Sequence, residues 1–158
     1  METFDTLWEQ CRGWTQRRTD CHADWCDVRE SWPQLQDVPF FEYLDRMRFL
    51  RQNLNRAASR DKEWPMDIWE FDCYLQGHRQ GWRCAITGEP LSFQRGGREF
   101  NGQTANPSSC SIDRIDPHQG YVSGNIQLVT WEANLFKRNF SMQDLGRLAK
   151  SMVDHLAL

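Results

Sequence analysis

The sequence predicts an α+β fold that is mainly helical, and three observations support this prediction. Apolar residues before residue 80 recur at spacings of three and four, the pattern of amphipathic helices. Two short runs, 111–115 and 126–130, alternate polar and apolar residues as strands do. A helical pattern follows the second run. We therefore expect a helical N-terminal region over 1–80 and a strand-containing module with a C-terminal helix over 81–158.

The length of 158 residues suits one domain, or a small catalytic unit with a helical extension. No apolar run approaches the roughly 18 residues of a membrane span, so no membrane partner is expected. The first residues, Met1 to Asp5, lack the basic flank and apolar core of a signal peptide. We expect a cytoplasmic location, where the six cysteines are thiols or metal ligands rather than disulfides.

Three helices are expected in the N-terminal region. The first covers 1–30, and the second runs from about Pro39 to Ser59 with a proline in its first turn. The third covers Met66 to Gln76 and is apolar enough to be buried on more than one side. The apolar positions of the first two helices are Phe4, Leu7, Trp8, Cys11, Trp14, Phe40, Tyr43, Leu44, Met47, Leu50 and Leu54.

Cysteine and histidine occur together at Cys21, His22 and Cys26, and both are soft zinc ligands. Their spacing completes no four-ligand pattern nearby, so we interpret these cysteines as contacts between helices. Further along, Cys84 and Cys110 could ligate a metal. Two cysteines do not complete a structural zinc site, so no structural zinc is expected.

The net charge of −3 disfavours tight nonspecific binding to nucleic acid, because phosphate contacts need local positive charge. It does not exclude a local basic face. Of the 19 basic residues 16 are arginine, whose planar guanidinium suits contacts to phosphate or carboxylate. Outside the module we expect most arginines to pair with acidic residues on helix surfaces.

Turn-forming residues dominate the start of the module. Thr87 and Gly88 are expected to form a tight turn, and residues 92–109 an exposed loop or irregular hairpin. This loop carries Arg95 and Arg98, which either face DNA or belong to a flexible connection.

The centre of the module is the run 110–138. Its first strand ends before Pro117, because proline cannot donate to a sheet ladder. Thr130 is expected to cap a helix that begins at Trp131. Such a unit can bring Asp113, at a strand end, close to Asn134 on the helix.

A final helix is expected from Ser141 to about His155, because Ser141 and Asp144 have the spacing of a helix start. Its packing stripe is predicted to consist of Leu145, Leu148, Met152, Val153 and Leu156.

The run 110–138 resembles the ββα-metal finger of HNH nucleases, in particular those encoded by phages or mobile elements. The resemblance is carried by Asp113-x-Ile115, Gly120-Tyr121, Asn125 and Asn134-x-x-Lys137, preceded by a segment from Cys84 that looks like the knuckle before the finger. It implies an HNH-like finger with an N-terminal helical extension. Residues 1–80 resemble no family.

The resemblance implies that Asp113 and Asn134 bind Mg²⁺ or another divalent metal such as Mn²⁺. The residue types agree, since one charged and one neutral oxygen donor suit Mg²⁺ that keeps several waters. Asn125 is implied to brace the finger by bonding backbone across its loop. With Arg114 and His118, these residues make up the predicted catalytic site.

Arg114 stands where the family has its general-base histidine. Arginine stays protonated, so Arg114 cannot take a proton from water, although it could clamp the phosphate or stabilise charge. His118 is the best remaining base, and the alternative for it is an exposed loop position without a catalytic role. Asp116 is a further candidate, as a base or as a support for the metal ligands.

These features lead us to expect a metal-dependent HNH-type DNA endonuclease or nickase, phage-encoded and acting in the host cytoplasm. Arg95, Arg98, Lys137 and Arg138 are expected to contact DNA. The N-terminal helices are expected to bind DNA or a partner, or to form a homodimer. The alternative is a catalytically impaired protein on the HNH scaffold that binds DNA, or a host or phage protein, as an inhibitor or adaptor. Arg114 and the acidic net charge favour this alternative.

Overall fold

The computed structural model describes residues 18–94, 96, 98–100 and 103–156, without the side chains of residues 18–24, 98–100 and 103–105. The described part is α+β and mostly helical, which confirms the coarse prediction of fold class. It contains five α-helices and two small antiparallel sheets of two strands each. In this part, no helix combines the length and apolar character needed to cross a bilayer. The apolar residues of the first predicted helix, Phe4 to Trp14, lie outside the described residues.

The chain divides into two compact units, Met1–Leu44 and Asp45–Leu158. The division falls within helix α2, which spans Phe40–Arg60 and matches the predicted helix within one residue at each end. Residues 45–80 therefore belong to the same compact unit as the strands. The predicted boundary at residue 80 is not the boundary between these units, because the segments on its two sides pack on each other.

In the first unit, helix α1 spans Arg18–Ser31 and a 3₁₀ turn follows at Pro33–Leu35. Trp25 stacks on Tyr43 with ring centroids 4.3 Å apart. The interpretation of Cys26 as a helix–helix contact is wrong, because the residue is exposed. A small apolar core is formed instead by the buried residues Trp25, Val28, Leu35, Tyr43 and Leu44.

Helix α3 spans Glu70–Arg79, so the predicted start at Met66 is wrong. Met66 instead forms a bridge with Tyr121. The helix begins after Trp69, whose backbone N–H donates to Asp72 Oδ2 at 2.9 Å and so finds a partner outside the helical ladder. The helix is buried along several faces, as predicted, through Phe71, Cys73, Tyr74, Leu75 and Gly77.

The segment before the central strands contains the predicted turn and hairpin. At the turn, Gly88 has a φ of +75° and its N–H donates to Cys84 O at 2.9 Å. Strands β1, Arg98–Phe100, and β2, Gln103–Ala105, pair as the predicted irregular hairpin.

Strands β3, Cys110–Arg114, and β4, Ile126–Thr130, form the central hairpin, with Cys110 opposite Thr130 and Arg114 opposite Ile126. The predicted first strand was one residue late, and the second is correct. All five residues of β4 are buried. This hairpin is therefore part of the core and not a surface appendage.

Helix α3 holds β4 in place. Gln80 Nε2 donates to Leu128 O at 2.8 Å, and Gln80 Oε1 accepts from Leu128 N at 2.9 Å. A Cβ on Gly77 would lie 2.3 Å from the Trp82 ring and 2.8 Å from Leu128 Cδ1, so the helix approaches this closely only with glycine there.

Helix α4, Trp131–Lys137, follows β4 without a loop. Thr130 caps it as predicted, since its Oγ1 accepts from Ala133 N at 3.2 Å. The Thr130 backbone N–H also donates to the buried thiol of Cys84, at 3.3 Å. The cap thus fixes α4 relative to β4.

Helix α5 spans Met142–Leu156, and Ser141 Oγ accepts from Asp144 N at 3.1 Å at its start, as predicted. The predicted packing of its apolar stripe is wrong. None of its residues is buried, and Met152 and Leu156 are 54% and 56% exposed. Amphipathic periodicity identified the helix, but no described element covers this face.

Candidate functional site

A cleft of about 390 Å³ lies in the second unit, and four segments line it. These are the end of α2, strand β3, the loop between β3 and β4, and α4 with the residues that follow it. The lining contains three arginines and two aspartates. Its polar and charged side chains are those of Arg60, Asp61, Ser111, Asp113, Arg114, Tyr121, Asn134, Arg138 and Asn139.

The β3–β4 loop docks on the chain segment after α2. Tyr121 N donates to Pro65 O at 2.9 Å, and Asp67 N donates to Tyr121 O at 2.9 Å. A Cβ on Gly120 would lie 2.2 Å from Pro65 O, so a larger residue would push the two segments apart. This docking brings the end of α2 to the cleft.

Asn125 braces the same loop from inside. Its Oδ1 accepts from Asp116 N at 2.9 Å, and its Nδ2 donates to Gly120 O at 2.9 Å and to Asp116 O at 3.1 Å. The side chain is buried and bonds backbone across the loop, which is the role that the resemblance implies. It does not line the cleft.

Asp113 is 5% exposed, and both of its carboxylate oxygens have partners. Gln127 Nε2 donates to Oδ2 at 2.8 Å, and Lys137 Nζ lies 3.2 Å from each oxygen. Burial raises the pKa of Asp113, while the hydrogen bond from Gln127 and the charge of Lys137 oppose that increase. The carboxylate is thus a buried acceptor that already has one counter-charge.

The prediction that Lys137 contacts DNA is wrong, because its side chain is fully buried. Besides Asp113, its ammonium donates to Arg114 O at 2.7 Å. A charged lysine is fully buried only when it has a counter-charge, and here Asp113 provides that charge.

Asn134 faces the same cleft as Asp113. Its Nδ2 donates to Ser111 Oγ at 2.7 Å, and within the described part of the chain its Oδ1 accepts no hydrogen bond. The structure therefore brings together both residues predicted to bind metal. No cluster of three or more His, Cys, Asp or Glu ligands occurs among the described residues.

Arg114 is held against two aromatic rings. Its guanidinium carbon lies 4.8 Å from the Trp64 ring centroid and 5.2 Å from that of Tyr121, and Nη1 donates to Gln119 O at 3.3 Å. Stacking of this kind orients the guanidinium before any ligand arrives. Its remaining N–H groups can donate to an anion in the cleft.

Arg60, Asp61 and Tyr121 form a polar triad at the cleft that the sequence did not reveal. Tyr121 Oη donates to Asp61 Oδ2 at 2.6 Å, and Arg60 Nη2 donates to the same oxygen at 2.9 Å. Burial would raise the pKa of Asp61, but the hydrogen bonds from Arg60 and Tyr121 outweigh it and lower that pKa. Arg60 and Asp61 lie far from the finger in sequence, whereas Tyr121 belongs to it.

The predicted base, His118, is exposed and is not among the residues that line the cleft. Its backbone N–H donates to Asp116 Oδ1 at 2.9 Å, and this bond lowers the pKa of Asp116. Since neither side chain lines the cleft, the structure does not place them for proton transfer there. No histidine occurs among the described residues of the lining.

Among the remaining predicted DNA contacts, only the side chain of Arg138 is described. Arg138 follows α4 and lines the cleft. Arg98 belongs to β1, where only its backbone is described, and Arg95 lies outside the described residues.

Comparisons of the chain with protein-family models, curated proteins and solved structures found no match.

Proposed function

We propose that this chain is an HNH-type DNA endonuclease or nickase that hydrolyses phosphodiester bonds in the cleft with Mg²⁺ or another divalent metal ion. The observation that carries the proposal is the shared position of Asp113 and Asn134 in a cleft with Arg60, Arg114 and Arg138. Two antiparallel strands followed directly by a helix are also the element order of the finger that the sequence resembles.

Asp113 and Asn134 are the residues that would hold the ion. One carboxylate and one amide oxygen are hard donors that suit Mg²⁺ or Mn²⁺, and the Asn134 oxygen accepts no other hydrogen bond within the described residues. When bound, such an ion polarises a phosphoryl oxygen and lowers the pKa of a bound water.

The chain's own side chains supply the phosphate site. Arg114, fixed against Trp64 and Tyr121, and Arg138 present N–H donors to a phosphodiester. Their charge also stabilises the extra negative charge of the transition state, and Arg114 is oriented before the reaction begins. Arg114 acts through charge alone, since a guanidinium accepts no proton.

A cleavage assay tests the proposal. Supercoiled plasmid incubated with the protein and Mg²⁺ or Mn²⁺ should become nicked or linear. Asp113→Asn and Asn134→Ala should each lower the rate by about 10²-fold or more, because the first removes the negative charge of a ligand and the second removes an oxygen donor. Asp154→Asn, on the exposed face of α5, is the matched control and should cut normally. The absence of cleavage with any divalent metal and several DNAs would contradict the proposal.

The second candidate is a protein on the same scaffold that binds DNA, or a host or phage protein, without cutting. Two observations favour it: Lys137 occupies both oxygens of Asp113, and arginine stands where the family has its base. This candidate is supported if the wild-type protein binds DNA, if Arg114→Gln loses that binding, and if no condition gives cleavage.

A further inference from the structure

Lys137 places an ammonium group on the carboxylate that would bind the metal. The Lys137 side chain is fully buried, and its Nζ lies 3.2 Å from Asp113 Oδ1 and 3.2 Å from Oδ2. The Arg114 carbonyl holds the same Nζ at 2.7 Å. The ammonium is therefore anchored and cannot simply move into solvent.

This geometry has an electrostatic consequence for the free protein. Asp113 and Lys137 together carry no net charge, so the pair attracts a divalent cation much less than a lone carboxylate does. Repulsion between the cation and the ammonium acts over a few ångströms in a poorly solvated site, where charges interact more strongly than in water. The free protein is therefore expected to bind the ion weakly.

A phosphodiester in the cleft would increase the attraction of the site for a divalent cation. It brings one negative charge and two non-bridging oxygens into the cleft, where Arg114 and Arg138 can hold it. Those oxygens are hard donors that a divalent ion prefers, and Asn134 offers another. The charge missing from the Asp113–Lys137 pair is then provided by the substrate.

We propose that Lys137 is a positioning residue that makes binding of the divalent ion at Asp113 conditional on a phosphodiester in the cleft. This inference rests on the proposed function. The free protein binds the ion weakly, and the complex with DNA binds it tightly. By thermodynamic reciprocity, the ion increases the affinity for DNA by the same factor.

A purely structural lysine would behave differently. It would neutralise Asp113 and stabilise the fold, but its replacement in a folded protein would change the affinity for the ion by the same factor with and without DNA. Metal affinity therefore separates the two roles, whereas loss of stability on substitution does not.

The test measures Mn²⁺ binding by electron paramagnetic resonance, with and without a short phosphorothioate duplex that resists cleavage. We expect the wild-type affinity for Mn²⁺ to rise about 10-fold or more with the duplex, and the affinity for the duplex to rise equally with Mn²⁺. Lys137→Met should increase Mn²⁺ affinity of the free protein about 10-fold. Lys150→Met, which removes an exposed charge on α5, is the control and should behave like wild type.

Equal Mn²⁺ affinity with and without the duplex would overturn the inference, and so would unchanged affinity in a folded Lys137→Met protein. If Lys137→Met does not fold, Lys137→Gln, which removes the charge but keeps a hydrogen-bond donor, replaces it in the same comparison. If the protein cleaves plasmid but binds Mn²⁺ equally with and without the duplex, Lys137 does not make metal binding conditional, and the nuclease proposal stands. Mn²⁺ binding that requires the duplex, in a protein that cuts no DNA, would support the role of Lys137 and contradict the proposed catalysis.

Discussion

Arg114 occupies the position at which the resemblance leads one to expect a histidine, and its surroundings suit an anion. Trp64 and Tyr121 hold the guanidinium in one orientation, so little side-chain freedom remains to be lost when phosphate binds. At the residue scale, the site presents an oriented guanidinium in place of a proton acceptor, and under the proposed function this guanidinium would hold phosphate.

Arg114→Gln should weaken binding of duplex DNA by about 10-fold, because one charged hydrogen bond to phosphate is lost. Arg114→Lys should recover only part of this affinity, since an ammonium does not stack as a planar group. Fluorescence anisotropy with a labelled duplex measures both. Arg147→Gln, on the exposed surface of α5, is the control, and an equal loss there would show that the effect is general charge.

Tyr121 predicts a pH dependence of stability. Burial, followed by its hydrogen bond to Asp61, raises its pKa to about 12. Because this exceeds the unfolded value of about 10, the contribution of the neutral phenol is complete below about pH 10 and is lost as the pH rises towards 12. Between these values the free energy of unfolding should fall more in wild type than in Tyr121→Phe, by up to about 2 kcal/mol. Urea unfolding across this pH range measures the difference. The same dependence of the free energy of unfolding on pH in both proteins would contradict the prediction.

At the scale of elements, the contact between the β3–β4 loop and the segment after α2 completes the cleft. It depends on Gly120, where a Cβ would meet Pro65 O at 2.2 Å. The three hydrogen bonds of Asn125 keep the loop in the shape that makes this contact.

Gly120→Ala should lower the free energy of unfolding by about 2 kcal/mol, because backbone rather than a flexible side chain must move. It should also weaken DNA binding, since Arg60 and Trp64 would move away from Arg114. Gly146→Ala is the matched control: nothing lies within 4 Å of its Cβ, and alanine favours the helix, so stability should stay equal or rise by about 0.5 kcal/mol. Urea unfolding compares the two, and equal values would contradict the role of the loop contact.

At the scale of the whole molecule, a net charge of −3 coexists with a cleft that carries three arginines. Under the proposed function, this acidic excess should limit contacts with nucleic acid outside the cleft, because a net negative charge disfavours phosphate. Binding should therefore be local, with few phosphates neutralised.

The salt dependence of binding measures that number. A plot of log Kobs against log salt concentration should have a slope of about −2 to −3, as expected for two or three phosphate contacts. Arg114→Gln should reduce the magnitude of the slope by about one. A slope of −6 or steeper would show that further basic residues take part and that the cleft is not the main binding surface.

Much of the secondary structure could be predicted from the sequence. The cap at Thr130, the helix start at Ser141 and the strand over 126–130 are all found where expected. The start of α3 was missed because Met66 pairs with Tyr121, a partner that local spacing does not reveal. The exposed stripe of α5 shows that periodicity identifies a helix without showing what its apolar face contacts.

For the candidate site, the sequence by itself determined the residue types and the order of the hairpin and helix, including Asp113 and Asn134. These features depend on neighbours a few positions apart, through periodicity, capping and turn chemistry. Only the tertiary structure decided that Asp61 and Tyr121, 60 positions apart, meet at the cleft, and that Lys137 lies buried against Asp113. Such contacts depend on close packing and on the path of the chain, as at Gly120 against Pro65, and no local pattern encodes them.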